Sequence, residues 1–234
     1  MRTNIVILTG AGISAESGLG TFRDEGGLWA QHAIEDVATP EGFSRNPTLV
    51  HNFYNARRKQ ASAAQPNAAH LALAKLEQEL NGDLMIVTQN VDALHEKAGS
   101  RNVLHMHGAL ERALCNECGH RWEAPTEMWP DDPCPRCGAL ATRPDVVWFG
   151  EIPYGMKAIS DALASADVFA AIGTSGEVYP AANFVAEADG LGAHTVELNL
   201  APSSGAAHFG EVVLGAASET VPAWVNHELT RNRA

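Results

Sequence analysis

The chain has 234 residues, 45% of them hydrophobic and 19% charged, which excludes a disordered chain or a disulfide-stapled miniprotein. Lys plus Arg total 16 against 28 Asp plus Glu, and a formal net charge of −12 argues against nucleic acid or an anionic membrane as the main partner. No stretch approaches the roughly 20 apolar residues of a membrane span, and no signal-peptide pattern precedes the first apolar run. The chain is therefore expected in the cytosol, where thiols stay reduced.

Asn4–Leu8 is a short β-branched run closed by Thr9-Gly10, the pattern of a strand buried on both faces. Similar runs recur at Leu84–Val87, Val103–Met106, Val168–Ile172, Thr195–Leu198 and Glu211–Leu214. Helical patterns lie between them. One starts at Asn46-Pro47, an N-cap followed by proline, and reaches about Ala61. Another runs from Asn67 to Leu80, with Asn81-Gly82 as the stop signal. Further helices are expected at Gly155–Ala166, Pro180–Asp189 and Val221–Arg231. Strands alternating with helices predict an α/β fold, a Rossmann-type doubly wound parallel sheet. Two segments break the alternation, Thr21–Gln65 and Glu111–Phe149, and together they predict a smaller module. The Rossmann part then covers about 1–20, 66–110 and 150–234, and the smaller zinc and helical module about 21–65 and 111–149.

Gly10-Ala11-Gly12-Ile13-Ser14-Ala15 is the alanine form of the G-x-G-x-x-G fingerprint, between a strand and an expected helix. Its glycines let a pyrophosphate approach the backbone, and a helix N-terminus would add N–H donors and a dipole. Gly/Ala turns also close plain βα units. No strand-terminal acid follows about 20 residues on, which speaks against an ordinary dehydrogenase.

Cys115-x2-Cys118 and Cys134-x2-Cys137, fifteen residues apart, have zinc-ribbon spacing. The alternatives are buried free thiols or two disulfides. Four thiolates would fill the coordination sphere of Zn2+, so such a zinc is structural. The many acidic residues of this segment argue against a nucleic-acid-binding ribbon.

Thr88-Gln89-Asn90-Val91-Asp92 and His105-Met106-His107-Gly108 follow the second and third strands, at the carboxyl ends where open sheets bind ligands. Amides and an acid there suit hydroxyl groups, and a histidine is a candidate base. Helix capping by Asn90 or Asp92 is the competing reading, and the residues alone do not choose between His105 and His107.

These motifs, with Ser17-Gly18-Leu19, Phe22-Arg23, Val146-Val147-Trp148-Phe149-Gly150-Glu151 and Gly173-Thr174-Ser175, occur in one order along the chain. In that combination the sequence resembles the sirtuin family, the NAD-dependent protein-lysine deacylases. The resemblance implies a cleft holding NAD and an acyl-lysine protein or peptide. It assigns Gly10, Ala11, Gly12, Ser14, Glu16, Thr21, Phe22, Arg23 and Trp29 to the cofactor loop. Gln89, Asn90, Val91 and Asp92 would hold the nicotinamide ribose region, and Gly173, Thr174 and Ser175 the phosphates or a ribose. Asn199, Leu200 and Ala217 would line the adenosine end. Catalysis would rest on His107, Asn90 and Asp92, with His107, which precedes the Gly of His-Gly-x-Leu, taking a ribose hydroxyl proton. The products would be free lysine, nicotinamide and 2′-O-acyl-ADP-ribose. Val147 and Phe149 would form the substrate strand.

Tyr54 and Arg57 share a helix face at i, i+3. A solvated basic face is the plain reading of Arg57-Arg58-Lys59. The resemblance instead matches Tyr-x-x-Arg to the class III signature that binds the carboxylate of succinyl- or malonyl-lysine, with Ala30 widening the acyl pocket. Arginine suits that task through its bidentate fork. Mono-ADP-ribosyl transfer on the same fold is the alternative reaction, and a non-catalytic NAD-binding protein or a dehydrogenase fits less of the pattern.

Overall fold

The structure, a computed structural model, describes residues 2–20 and 32–233. The expected cofactor-loop residues Thr21, Phe22, Arg23 and Trp29, and the expected pocket residue Ala30, lie outside them.

A six-stranded sheet forms the larger layer: β1 (Ile5–Thr9), β2 (Leu84–Thr88), β3 (Val103–His105), β7 (Val168–Ile172), β8 (His194–Asn199) and β9 (Glu211–Leu214). Its order is β3-β2-β1-β7-β8-β9 and all pairings are parallel. Counting only these strands, the order is 3-2-1-4-5-6, the doubly wound arrangement whose direction reverses between β1 and β7. The apolar run at the start of the chain explains β1: Ile5 and Ile7 enter one core, Val6 and Leu8 the other. The first core lies against α5 (Ala68–Glu79) and α9 (Ala217–Arg233), the second against α7 (Met156–Leu163) and α8 (Phe184–Gly190).

The two insertions make a second body. α2 (Ile34–Val37), α3 (Pro40–Arg45) and α4 (Pro47–Ala63) pack beside an antiparallel sheet of β4 (Gly108–Cys115), β5 (Arg121–Glu123) and β6 (Thr142–Val146), ordered β5-β4-β6. A third core joins Val50, Phe53 and Tyr54 of α4 to Leu110, Val146 and Trp148. β4 begins at Gly108, so the small sheet reaches across the boundary expected after residue 110.

Several elements differ from their sequence patterns for identifiable reasons. The helix after the fingerprint, α1 (Gly12–Ala15), is a single turn, stopped at Gly18 with φ +82°. The helix expected there forms, but only over Gly12–Ala15. α5 ends at Glu79, with Leu80 extended, and Asn81-Gly82 is not its cap. Gly82 is needed because a Cβ there would stand 1.8 Å from the Thr3 carbonyl oxygen. The helix expected from Pro180 opens as a 3-10 turn, Ala181–Asn183, before α8. α9 starts four residues ahead of the expected Val221 and takes Pro222 inside it, its first turn held from outside by Glu16. Asn46 and Asn67 do cap α4 and α5, accepting from the Leu49 and Ala69 amides. Among the described residues, no helix is long and apolar enough to cross a membrane.

Candidate active site

Four loops meet at the carboxyl ends of β2, β1, β7 and β8, where the strand order reverses. The glycines bring them together. The Gly10 amide donates to the Ile172 carbonyl at 3.0 Å and the Gly12 amide to the Gly173 carbonyl at 2.8 Å. Gly173 has φ +61°, and a Cβ on it would lie 2.4 Å from the Ile13 nitrogen. Backbone thus touches backbone between the fingerprint loop and the loop after β7. Gln89 binds its side-chain amide to the Thr174 hydroxyl at 3.0 Å, tying β2 to the same point.

Asn90, Asp92 and Ser14 form one buried cluster. The Asn90 side chain donates to the Gly10 carbonyl at 3.0 Å and to the Ser14 hydroxyl at 3.2 Å. Ser14 in turn donates to Asp92 at 3.1 Å. Asp92, one residue before the Ala93 N-cap of α6 (Leu94–Ala98), also accepts from the Leu94 amide at 3.1 Å. Neither Asn90 nor Asp92 is the N-cap of α6; one Asp92 oxygen meets the Leu94 amide and the other faces the cluster. Burial pushes the Asp92 carboxyl up, opposed by the Leu94 and Ser14 bonds and by the charges of His105 and Arg57. Val91 is buried beneath this loop.

His107 and His105 both turn toward the Gln89–Asn90 segment. His107 Nδ1 lies 3.2 Å from the Gln89 carbonyl oxygen. A carbonyl only accepts, so Nδ1 carries the hydrogen and the Nε2 lone pair is available. Burial lowers the His107 pKa, and the Gln89 contact raises it only in part. Burial therefore favours the neutral ring. His105 contacts the Asn90 carbonyl at 3.0 Å and Glu96 at 2.7 Å.

The segment after β6 closes the other side. The Val147 amide donates to the His107 carbonyl at 2.9 Å and the Phe149 amide to the Ala38 carbonyl at 3.0 Å. Phe149 is 48% exposed, and Trp148 between them is buried. Trp148 Nε1 donates to the Tyr54 hydroxyl at 3.0 Å, a link the helix pattern did not reveal. Arg143, stacked 3.5 Å over the Trp148 ring centroid and paired with Glu151, fixes that turn.

The three cations of α4 point in different directions, so the solvated basic face is not what forms. Arg58 is 6% exposed and binds the Leu110 carbonyl and Asn55, both at 2.8 Å. Arg57 lies 5.7 Å from the centroids of the Phe53 and Tyr54 rings. Burial lowers its pKa, while Tyr54 and Asp92 support its charge. Tyr54 and Arg57 thus sit together beside the Asp92 cluster.

At the far end of the crevice Asn199 donates to the Thr174 carbonyl at 2.8 Å. Leu200 is exposed, and Ser175 accepts from the Ser204 amide at 3.1 Å. Glu197 is 1% exposed, accepts from the Ser203 amide at 2.9 Å and leaves Oε2 buried without a partner. Glu197 carries no signal in the residue pattern beyond being an acid inside an apolar strand. Glu16 is committed to α9, accepting from the Ser218 amide at 2.9 Å and the Ser218 hydroxyl at 2.6 Å, and Ala217 lies at that junction.

The cysteines are free and converge, all four sulfurs within 4.8 Å of one another. Cys115 to Cys137 is 3.8 Å and Cys118 to Cys134 is 3.7 Å. A tetrahedral zinc with Zn–S bonds of about 2.3 Å requires sulfur–sulfur edges of about 3.8 Å. Gly119 and Gly138, at φ +67° and +74°, turn each knuckle, and their amides donate back to the Cys115 and Cys134 carbonyls. The donor set fits a closed, structural zinc site.

A doubly wound sheet with a glycine cradle at its switch point, joined to a four-thiol module, defines an α/β dinucleotide-binding protein with a metal-stapled second body. The Sir2 family model matches residues 10–180, and the chain belongs to that family. It is 55% identical over 231 residues to a protein of Caulobacter vibrioides named NAD-dependent protein deacylase, covering 97% of each chain. It superposes on a Sir2 homologue in complex with NAD with a TM-score of 0.90 at 37% identity, covering 97% of this chain and 90% of the other. A Sir2 variant bound to a deacetylated p53 peptide and 3′-O-acetyl ADP-ribose matches with a TM-score of 0.80 at 26% identity, over 97% and 94% of the two chains.

Proposed function

We propose that this protein removes acetyl groups, and succinyl or malonyl groups, from protein lysine side chains at the expense of NAD. The observation that carries the reading is His107: its Nδ1 is held on the Gln89 carbonyl, which leaves Nε2 as the proton acceptor, beside the Asn90–Asp92 cluster and the Val147–Phe149 segment. Bound NAD supplies a glycosidic carbon that the acyl oxygen can attack once nicotinamide leaves. The residues around it do the rest. Asn90 and Asp92 orient the ribose hydroxyls, and His107 takes a hydroxyl proton at Nε2. Gly10, Ala11, Gly12, Ser14, Gln89, Val91, Gly173, Thr174 and Ser175 line the pyrophosphate and ribose positions. Thr21, Phe22, Arg23 and Trp29 complete the cofactor loop. Asn199, Leu200 and Ala217 take the adenosine end. Glu16 acts there through α9.

The expected substrate strand at Val147 and Phe149 is a non-strand segment just past the end of β6 at Val146; these two residues remain the proposed contacts for an acyl-lysine peptide, consistent with the peptide in the related complex. Tyr54 and Arg57 read the acyl carboxylate, with Ala30 leaving it room. Cys115, Cys118, Cys134 and Cys137 hold one zinc that supplies rigidity and no chemistry. The working division is a Rossmann part at about 1–20, 66–110 and 150–234, and a small module at about 21–65 and 111–149. The location is the cytosol, where the four thiols remain available to metal.

Mass spectrometry of one peptide bearing acetyl- or succinyl-lysine, with and without NAD, tests this. Wild type removes both groups, Arg57→Met removes only acetyl, and His107→Ala removes neither. Loss of acetyl alone by wild type sinks the role of Tyr54 and Arg57. A peptide that keeps its acyl group and gains ADP-ribose replaces deacylation with transfer.

A further inference from the structure

His105 has two ring nitrogens and two acceptors. Nδ1 faces the Asn90 carbonyl at 3.0 Å and Nε2 faces Glu96 Oε1 at 2.7 Å. A neutral imidazole carries one N–H, so either tautomer would set a lone pair against an oxygen. Only the imidazolium donates to both. The ring is 17% exposed and Glu96 43%, so the bond is shielded on the histidine side.

The consequence reaches the candidate base. Each peptide unit is planar, so fixing a carbonyl fixes its plane. The plane before the Asn90 Cα carries the Gln89 carbonyl, which meets His107 Nδ1, and the Asn90 amide, which donates to the Thr88 hydroxyl at 3.0 Å. The plane after it carries the Asn90 carbonyl, which meets His105. The two histidines therefore clamp consecutive peptide planes, with the Asn90 side chain pinned between them on Gly10 and Ser14.

We propose that His105, as an imidazolium bridging Glu96 and the Asn90 carbonyl, is a positioning residue that holds the Gln89–Asn90 segment against His107. The inference rests on the reading of His107 as base. The groups facing His105 are Glu96 and His95 of α6, and Asp92 of the preceding loop, with Arg57 of α4 beyond Asp92. Burial and His95 disfavour its charge, while Glu96, the Asn90 carbonyl and Asp92 favour it, and the balance raises its pKa. Loss of that proton at alkaline pH leaves one acceptor unbonded and frees the second plane.

The test is 15N NMR of the histidine rings in the full zinc-loaded chain, with the His105→Gln spectrum assigning the resonance. At pH 7 both His105 nitrogens are protonated, and the ring titrates above the ordinary value of about 6.5. Glu96→Gln moves that titration down. In parallel, nicotinamide release from NAD and acetyl-peptide falls at alkaline pH along the His105 titration. Glu96→Gln lowers kcat at pH 8 on the order of tenfold with little change in KM for NAD, and His105→Gln abolishes the alkaline fall that tracks His105. A His105 ring neutral at pH 7 overturns the proposal, as does Glu96→Gln leaving both titration and rate profile unchanged. The wild-type titration decides the charge even if Glu96→Gln fails to fold. Absence of nicotinamide release at every pH would sink the proposed activity, while the ring nitrogens still report on His105.

Discussion

His105 and His107 stand two residues apart and are driven in opposite directions. Among the described residues no carboxylate contacts His107, so burial governs and lowers its pKa. His105 has Glu96, which outweighs burial. A base must be neutral to accept a proton, so activity is present above the His107 pKa and is lost as pH falls through it. The acid limb of kcat/KM for deacylation is therefore expected below about 6.5, the ordinary imidazole value. A rate profile over pH 5–8 measures this, and an acid limb above 6.5 would show that another group controls the reaction. At this scale the choice of His107 came from the His-Gly-x-Leu context. The tautomer came only from the fold, because the Gln89 carbonyl arrives from a different strand.

Elements are where the pattern in the residues was most and least informative. Each strand of the large sheet was legible because parallel strands buried on both faces are continuous apolar runs. The small sheet was not: β5 is three residues, Arg121-Trp122-Glu123, and β4 carries Glu111 and Arg112 outward. Neither alternates cleanly enough to separate it from loop. The start of α9 was hidden because its cap, Glu16, is 202 residues away from Ser218 in sequence. The Ser218 bonds hold the Glu16 carboxyl below the usual carboxylate range, the larger contribution coming from the Ser218 hydroxyl. Glu16→Ala removes a capping acceptor and is expected to cost about 1 kcal/mol. Urea unfolding measures it. An unchanged midpoint would mean that the Ser218 bonds contribute nothing, and a raised KM for NAD with unchanged stability would return Glu16 to the cofactor loop.

Taken as a whole, the molecule closes its large sheet over a pair of neutral histidines. His70 of α5 and His95 of α6 are buried with ring centroids 5.0 Å apart. His95 Nε2 lies 3.0 Å from the Thr9 hydroxyl of β1, which donates to the Thr88 hydroxyl of β2 at 2.9 Å. The Asn67 amide meets His70 Nδ1 at 3.4 Å, which leaves His70 Nε2 and His95 Nδ1 buried without partners. Among the described residues no carboxylate supports a charge on either ring. Burial lowers His70 to about 4 and His95 to about 3. In the unfolded chain both titrate near 6.5. Their contribution to stability is therefore fully present above about 6.5 and is lost progressively as pH falls toward the folded values, because the unfolded state binds protons first. Each ring adds a slope of at most about 1.4 kcal/mol per pH unit inside that window. Between pH 6.5 and 5 the carboxylates of the unfolded chain remain ionised, so histidines dominate the slope. Urea midpoints at pH 7 and pH 5 are expected to differ clearly for wild type and less for His70→Asn, whatever that substitution does to stability at pH 7. Equal pH dependence in the two chains would mean that His70 is charged in the folded state, and the sheet would then need an anion beside it that the buried cluster does not contain.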